Sequence, residues 1–256
     1  MLLVIDIGNS HIVLGVYEGD TLREHFRVET AKGRTADEYR VVLFGLLSMA
    51  GVSPDAIEGG IMASVVPTLN DVFLRAVEQA FDVALMVVGP GLKTGMPIMY
   101  EDPREVGADR IVNAVAAFDE GGGPVIVVDF GTATTFDCIS AKGEYLGGAI
   151  VPGITISANA LFDRAAKLPR AEISRPPRAV GRNTIHSMQS GILFGYAALV
   201  DGLVARLESE MDDECRVVAT GGLAALMREE SEAIDEVDEL LTLRGLRMLY
   251  LRNHER

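Results

Sequence analysis

Two short stretches of this chain each place an aspartate and a glycine after an apolar run that is rich in strand formers. The first is VIDIGNS at residues 4–10, and the second is VVDFGTATT at residues 127–135. Glycine permits a tight turn that a side chain would obstruct, and small hydrogen-bonding residues follow it. Such a turn presents a carboxylate, a hydroxyl group and several backbone N–H groups, which together suit a phosphate chain and its metal ion.

One Asp-x-Gly turn is a weak signal, because Asp, Asn and Gly dominate ordinary hairpins. The repetition is more informative, since strand, acidic turn and strand occur near Leu2 and again from Pro124. The two copies predict a duplicated fold with a cleft between its halves. A third turn, Thr220-Gly221-Gly222, follows a predicted strand and opens a predicted helix, where free N–H groups attract phosphate. We expect the three turns to converge.

A further group of chemically useful residues is EVGADRIVN at residues 105–113. Asp109 and Arg110 lie near a predicted helix start, and two interpretations are open. In the first interpretation, the two residues form an ordinary acidic first turn of the helix with a surface arginine beside it. Alternatively, Asp109 accepts a hydrogen bond from a substrate hydroxyl group, and Arg110 binds a carboxylate through two parallel hydrogen bonds.

The elements that position these residues follow the same order in both halves. The first half reads as three strands, a helix, a strand, a helix and a strand, and the first helix opens with a capping sequence at Thr35. Later helices are predicted from Thr184 to about Glu208 and over residues 237–253. Glycines in the long helix predict close packing, either within the chain or at a dimer interface. The glycine run before Pro124 predicts two domains, 1–120 and 121–256.

Composition excludes several classes of function. The net charge of −14 argues against nucleic acid and against anionic membrane surfaces as partners. An anionic nucleotide stays possible, because oriented N–H groups and Mg²⁺ reverse the sign locally. Cys138 and Cys215 resemble small buried hydrophobic residues and predict no disulfide. The uncharged stretch 41–54 is too short to span a bilayer, and the chain opens directly with a strand, so we expect a cytoplasmic protein.

Taken together, these motifs and their spacing resemble the type III pantothenate kinases, nearly from end to end. The matching segments are DIGNS from Asp6, Pro103 with the GADR block from Gly107, DFGTA from Asp129 with Thr135, GG-x-I-x-PG from Gly147, and Asn183-Thr184. The resemblance implies an α/β fold of two duplicated ribonuclease H-like (actin-like ATPase) domains. Each domain has a mixed five-stranded sheet, and a nucleotide cleft lies between the domains.

The resemblance also implies the functional residues. The ATP-binding residues are Asp6, Ile7, Gly8, Asn9, Ser10, His11, Ile12, Val13 and Thr132. The pantothenate-binding residues are Tyr100, Gly107, Ala108, Asp109, Arg110 and Thr184. Asp109 resembles the catalytic base, Asp6 lies near Mg²⁺, and Asp129 matches a site for K⁺ or NH₄⁺. Many relatives have Asn where this chain has His11, which we expect to have no catalytic role. The family also implies a homodimer.

These residues predict ATP-dependent phosphorylation of the primary hydroxyl group of pantothenate, the first step towards coenzyme A. One alternative is a kinase of the same superfamily that acts on another small hydroxy acid or on a sugar. Another is a nucleotide-binding regulatory protein without catalytic activity. The intact set of Asp6, Asp109 and Asp129 argues against the regulator, because a binding module needs no base.

Overall fold

The computed structural model describes residues 1–165 and 168–254. Contacts between residues divide the chain into two compact units. Unit 1 contains Met1–Gly95, Glu101–Ala116 and Leu241–Arg256, and unit 2 contains Met96–Tyr100 and Ala117–Leu240. This division differs from the predicted boundary at residue 120, because segments 96–100 and 117–120 join unit 2 and the C-terminal segment joins unit 1.

Unit 1 is built on a mixed five-stranded sheet in the order β3-β2-β1-β4-β5. The strands are β1 (Leu2–Ile7), β2 (His11–Glu18), β3 (Thr21–Glu29), β4 (Gly59–Ser64) and β5 (Leu85–Val87). The first three strands form an antiparallel meander, and β4 and β5 extend the sheet in parallel from β1. Every strand that the sequence predicted in this half is present.

Unit 2 repeats this arrangement in the order β10-β9-β6-β7-β8. The strands are β6 (Val125–Phe130), β7 (Ala133–Ile139), β8 (Tyr145–Pro152), β9 (Arg216–Gly221) and β10 (Glu236–Val237). As in unit 1, the first strand pairs with an antiparallel neighbour on one side and a parallel one on the other. The predicted duplication and the two mixed five-stranded sheets are therefore confirmed.

The helices cover the faces of the sheets. They are α1 (Ala36–Met49), α2 (Asn70–Phe81), α3 (Ala108–Gly121), α4 (Ile154–Arg164), α5 (Thr184–Met211), α6 (Ala224–Arg228) and α7 (Leu241–His254). Helix α1 begins at the predicted N-cap, Thr35, which forms a capping box with Glu38, and it buries Tyr39, Leu43 and Leu47 at helical spacing. On β1, the alternating residues Leu3, Ile5 and Ile7 belong to the same core.

The final helix begins later than predicted and packs within unit 1. Residues 236–237 form β10, and α7 starts at Leu241. Gly15 of β2 leaves room for the side chain of Leu243, and Gly59 of β4 for the ring of Tyr250. A Cβ at Gly245 would overlap the Val112 carbonyl of α3. The helix thus completes the hydrophobic packing of the first sheet, although its residues are the last in the chain.

Helix α5 is apolar along much of its length. Its inner face packs into the core of unit 2 through Met188, Leu193, Tyr196, Ala197, Val200 and Val204. By length and composition, α5 is long and apolar enough to span a membrane, and 28% of its most apolar 18-residue stretch is buried. One such helix is weak evidence for a membrane protein, because core helices share this composition.

Candidate active site

The first acidic turn joins β1 to β2 and is closed by its own backbone. The N–H of Gly8 donates to the carbonyl oxygen of His11 at 3.0 Å. Thr30, just after β3, braces the turn from outside: its hydroxyl group donates to Gly8 O at 2.7 Å and its N–H to Ser10 O at 3.0 Å. Thr30 could not be predicted from the sequence, because no local pattern connects it to a turn some twenty residues earlier.

The side chains of this hairpin divide into two groups. Asn9, Ser10 and His11 are exposed, and Lys32 donates a hydrogen bond to Asn9 Oδ1 at 3.3 Å. Ile7 and Ile12 are fully buried in the core. Of the predicted ATP-binding residues, these two isoleucines therefore have only backbone groups to offer a ligand.

The predicted substrate block lies at the start of α3 in unit 1. Asp109 Oδ1 accepts a hydrogen bond from the N–H of Arg110 at 2.8 Å. Gly107 leaves room for this carboxylate, because a Cβ there would be 2.6 Å from Asp109 Oδ1. The Arg110 side chain is buried, and Asn113 on the next turn accepts a hydrogen bond from Thr242 of α7 at 2.7 Å. The helix start is thus fixed by tertiary contacts.

The environment of Asp109 changes its acidity. Burial raises the pKa of its carboxyl group above the usual aspartate value, while the hydrogen bond from the Arg110 N–H and the Arg110 charge oppose the rise. A carboxylate with a raised pKa is a stronger base once it is ionised. The pKa of a free aspartate is about 4. The raised pKa of Asp109 is therefore a property that the structure shows and the sequence alone did not.

The second acidic turn joins β6 to β7 in unit 2. The N–H of Gly131 donates to Ala133 O at 3.1 Å, and the N–H of Gly153 donates to Thr132 O at 3.1 Å. Gly221, at the end of β9, has a φ of +90°, and a Cβ there would be 2.7 Å from Asp129 Oδ1. The third predicted turn, Thr220-Gly221-Gly222, therefore meets the turn of Asp129, as the sequence suggested for this pair.

The two remaining predicted substrate residues also belong to unit 2. Tyr100 is half-buried and packs against the ring of Tyr145, with ring centroids 6.3 Å apart. Thr184 is exposed at the first position of α5, which Asn183 caps by accepting a hydrogen bond from His186 N at 2.8 Å. A cavity of about 650 Å³ opens beside Thr184, between α5 and the end of α4.

Candidate metal ligands are sparse. Within residues 1–165 and 168–254, no group of three or more His, Cys, Asp or Glu side chains is arranged to hold a metal ion. Mg²⁺ usually takes one or two carboxylates together with substrate phosphates. A single aspartate in each turn therefore suits a cation that binds together with a phosphate group. It also suits a cation whose coordination is completed by carbonyl and hydroxyl oxygens.

Comparison with known proteins identifies the family. A family model for type III pantothenate kinase matches residues 2–206. The type III pantothenate kinase of Myxococcus xanthus strain DK1622 is 56% identical over 254 residues, which cover 99% of each chain. That of Syntrophotalea carbinolica is 58% identical over 253 residues, again 99% of each. The chain belongs to the type III pantothenate kinase family. Its homologues phosphorylate pantothenate in coenzyme A biosynthesis, with ATP and a divalent metal ion.

Solved structures show the fold. Sugar kinases of the actin-like class are among the structural neighbours. The inorganic polyphosphate/ATP-glucomannokinase of Arthrobacter sp. strain KM superposes with a TM-score of 0.53 at 16% identity, covering 99% of this chain and 98% of that one. The predicted actin-like α/β class is therefore confirmed.

Proposed function

We propose that this protein transfers the γ-phosphoryl group of ATP to the primary hydroxyl group of pantothenate, which yields 4′-phosphopantothenate and ADP. The observation that carries the proposal is the full-length similarity to type III pantothenate kinases. The start of α3 supports it, because a carboxylate base and a guanidinium group stand there on adjacent residues, Asp109 and Arg110.

Asp109 is the proposed catalytic base. It accepts the hydrogen bond of the substrate hydroxyl group and takes the proton as the oxygen forms its bond to phosphorus, while the bond from phosphorus to ADP breaks. Because phosphoryl transfer is loose, orientation of the hydroxyl group counts for more than early proton removal. Burial of Asp109, which raises its pKa, improves its match to a proton acceptor near neutral pH.

The turn Gly8–Ser10 is the proposed cradle for the ATP phosphates. Its backbone closes around Gly8 and is braced by Thr30, so its N–H groups are held in place before the nucleotide binds. Asp6 is the proposed carboxylate for Mg²⁺, which supplies positive charge against the phosphate oxygens. Lys32, which contacts Asn9, adds a positive charge at this turn.

The turn of Asp129 is the proposed site of a monovalent cation, K⁺ or NH₄⁺. Its cross-strand neighbours Thr135 and Thr220 carry hydroxyl groups, and oxygen donors are what such a cation prefers. Thr132, exposed at the tip of the same turn, is the proposed ATP contact.

Pantothenate itself is assigned to Gly107–Arg110, Tyr100 and Thr184. Arg110 suits the pantothenate carboxylate, because guanidinium and carboxylate groups match in a bidentate geometry. The hydroxyl groups of Tyr100 and Thr184 suit the polar groups of the acyl chain.

We further infer a cytoplasmic homodimer. Among the described residues, no atom outside the helix lies within 4 Å of a Cβ built at Gly191, Gly195 or Gly202 of α5. Ile185 of α5 and Ile156 of α4 are exposed apolar side chains. Intrachain packing therefore does not use the glycine face, which favours a second copy of the chain. The two cysteines, free and buried, suit a reducing compartment.

The decisive experiment is a turnover assay with mass-spectrometric detection of phosphopantothenate. Purified protein is incubated with ATP, Mg²⁺ and pantothenate, in K⁺ and in Na⁺, with glucose and N-acetylglucosamine as other acceptors. Absence of phosphopantothenate in K⁺ would overturn the proposal, and turnover of a sugar instead would favour the alternative kinase.

Asp109→Asn should abolish turnover and preserve ATP binding. In the wild type, the rate should fall in acid at a higher pH than an ordinary aspartate gives, because the ionised form is the base.

A further inference from the structure

The segment that carries Tyr100 pairs with unit 2 through the backbone of Tyr145. The N–H of Met99 donates to Tyr145 O at 2.8 Å, and the N–H of Tyr145 donates to Pro97 O at 2.9 Å. These two bonds form a short parallel bridge between Ile98 and Tyr145 at the start of β8. The position of segment 96–100 is therefore set by where Tyr145 sits.

Tyr145 is in turn held by a buried carboxylate. Its ring is fully buried, and its hydroxyl group donates to Asp137 Oδ1 at 2.7 Å. Asp137 is also 0% exposed and accepts a second hydrogen bond, from Thr135 Oγ1 to Oδ2 at 3.4 Å. Tyr145 lies opposite Ile139 across the strand pair, so Asp137 is its diagonal neighbour on the same face of the sheet.

The ring of Tyr145 also forms the surface on which Tyr100 rests. The two rings are tilted by 53° with their centroids 6.3 Å apart. Gly147, two residues after Tyr145, lies beside the ring of Tyr100, because a Cβ there would be in van der Waals contact with that ring at 3.4 Å. The backbone of Tyr145, its ring and Gly147 thus all lie against the segment of Tyr100.

A buried aspartate calls for an explanation, because an apolar pair of similar volume is often as stable or more stable. A directional hydrogen bond from Tyr145 to the buried carboxyl group of Asp137 fixes the orientation of the ring, which apolar packing alone would leave adjustable. We propose that Tyr145 and Asp137 are positioning residues that hold Tyr100 in the geometry that binds pantothenate. This inference rests on the proposed function, in which Tyr100 contacts pantothenate.

The test compares Tyr145→Phe with a matched control in the same unit. Tyr145→Phe removes one hydroxyl group and keeps the ring, so KM for pantothenate should rise about three- to tenfold, the scale of one lost hydrogen bond. The kcat and the KM for ATP should stay within about twofold of wild type. Tyr196→Phe removes the hydroxyl group that donates to Pro152 O, from a ring on the buried face of α5, and should leave KM for pantothenate unchanged.

A double-mutant cycle decides whether Tyr145 acts through Tyr100. In a Tyr100→Ala background, Tyr145→Phe should no longer change KM for pantothenate. An undiminished effect in that background would overturn the inference, as would equal KM values in Tyr145→Phe and Tyr196→Phe. If Tyr145→Phe does not fold, Asp137→Asn takes its place, and an unchanged KM overturns the inference. These failures differ from failure of the proposed function, in which the wild type makes no phosphopantothenate.

Discussion

The two acidic turns hold the same place in two sheets of the same strand order, yet their aspartates have different neighbours. Asp6 lies opposite Val13 and Ala63, whereas Asp129 lies opposite Thr135 and Thr220. Opposite residues share a face of the sheet, so one carboxylate has aliphatic neighbours and the other has hydroxyl groups. A duplicated backbone therefore places two aspartates in different surroundings, which the residues of the neighbouring strands determine.

The supports of the two turns also differ. The first has three residues between its strands and the second has two. The first is braced by a side chain, Thr30, and the second by close backbone approaches at Gly153 and Gly221. Both supports hold their turns in place, but the first depends on hydrogen bonds from Thr30 and the second on close contacts at glycine. We therefore expect the first turn to loosen when a hydrogen bond is removed and the second when a Cβ is added.

Among changes to the two turns, Asp6→Asn should have the largest effect. Without the carboxylate that the proposal assigns to Mg²⁺, kcat should fall by about two orders of magnitude or more, because a metal ion at a phosphoryl oxygen contributes several kcal/mol. The loss should be equal in K⁺ and in Na⁺. The exposed Asp55→Asn serves as control and should keep full activity. Retained turnover in Asp6→Asn would remove the distinction between the two turns.

Asp129→Asn should instead abolish the response to the monovalent cation. Activity in K⁺ should drop about tenfold, the scale of one contact to a charged group, to the level of the wild type in Na⁺. The measurement is the rate as a function of K⁺ concentration at constant ionic strength. Activation by K⁺ that persists in this variant would mean that the cation binds elsewhere.

Gly221→Ala tests the rigid support of the second turn. A side chain at a φ of +90° is strained, and the new Cβ would meet Asp129 Oδ1 at 2.7 Å. The free energy of unfolding should fall by about 1–3 kcal/mol, and the K⁺ dependence should weaken. Urea denaturation measures the first effect. Gly33→Ala, where a Cβ meets nothing within 4 Å, is the control, and equal stability of the two variants would contradict the argument.

Thr30→Val should have the smallest effect. It removes the hydrogen bond to Gly8 O and keeps the side-chain volume, so KM for ATP should rise about fivefold, as one hydrogen bond is worth about 1 kcal/mol. KM for pantothenate should not change. Thr21→Val at the exposed start of β3 is the matched control. If both variants behave like wild type, the turn does not depend on its brace.

Sequence patterns were sufficient where the interaction is local. The N-cap at Thr35, the strand pairs around each Asp-Gly turn and the burial of both cysteines were predicted and are confirmed. The glycine run before Pro124 was less informative, since it marks the end of α3 while the contact boundary falls at residue 116. A glycine reports the backbone conformation at one point, not which distant residues pack together.

By itself, the sequence determined the turns, the duplicated strand order and the family, because these depend on neighbours within a few residues or on motif order. Only the tertiary structure decided that α7 packs against the first sheet and that Tyr145 and Asp137 hold the segment of Tyr100. The raised pKa of Asp109 also came from the fold. Burial and parallel strand pairing join residues far apart in the chain, and no local pattern encodes those contacts.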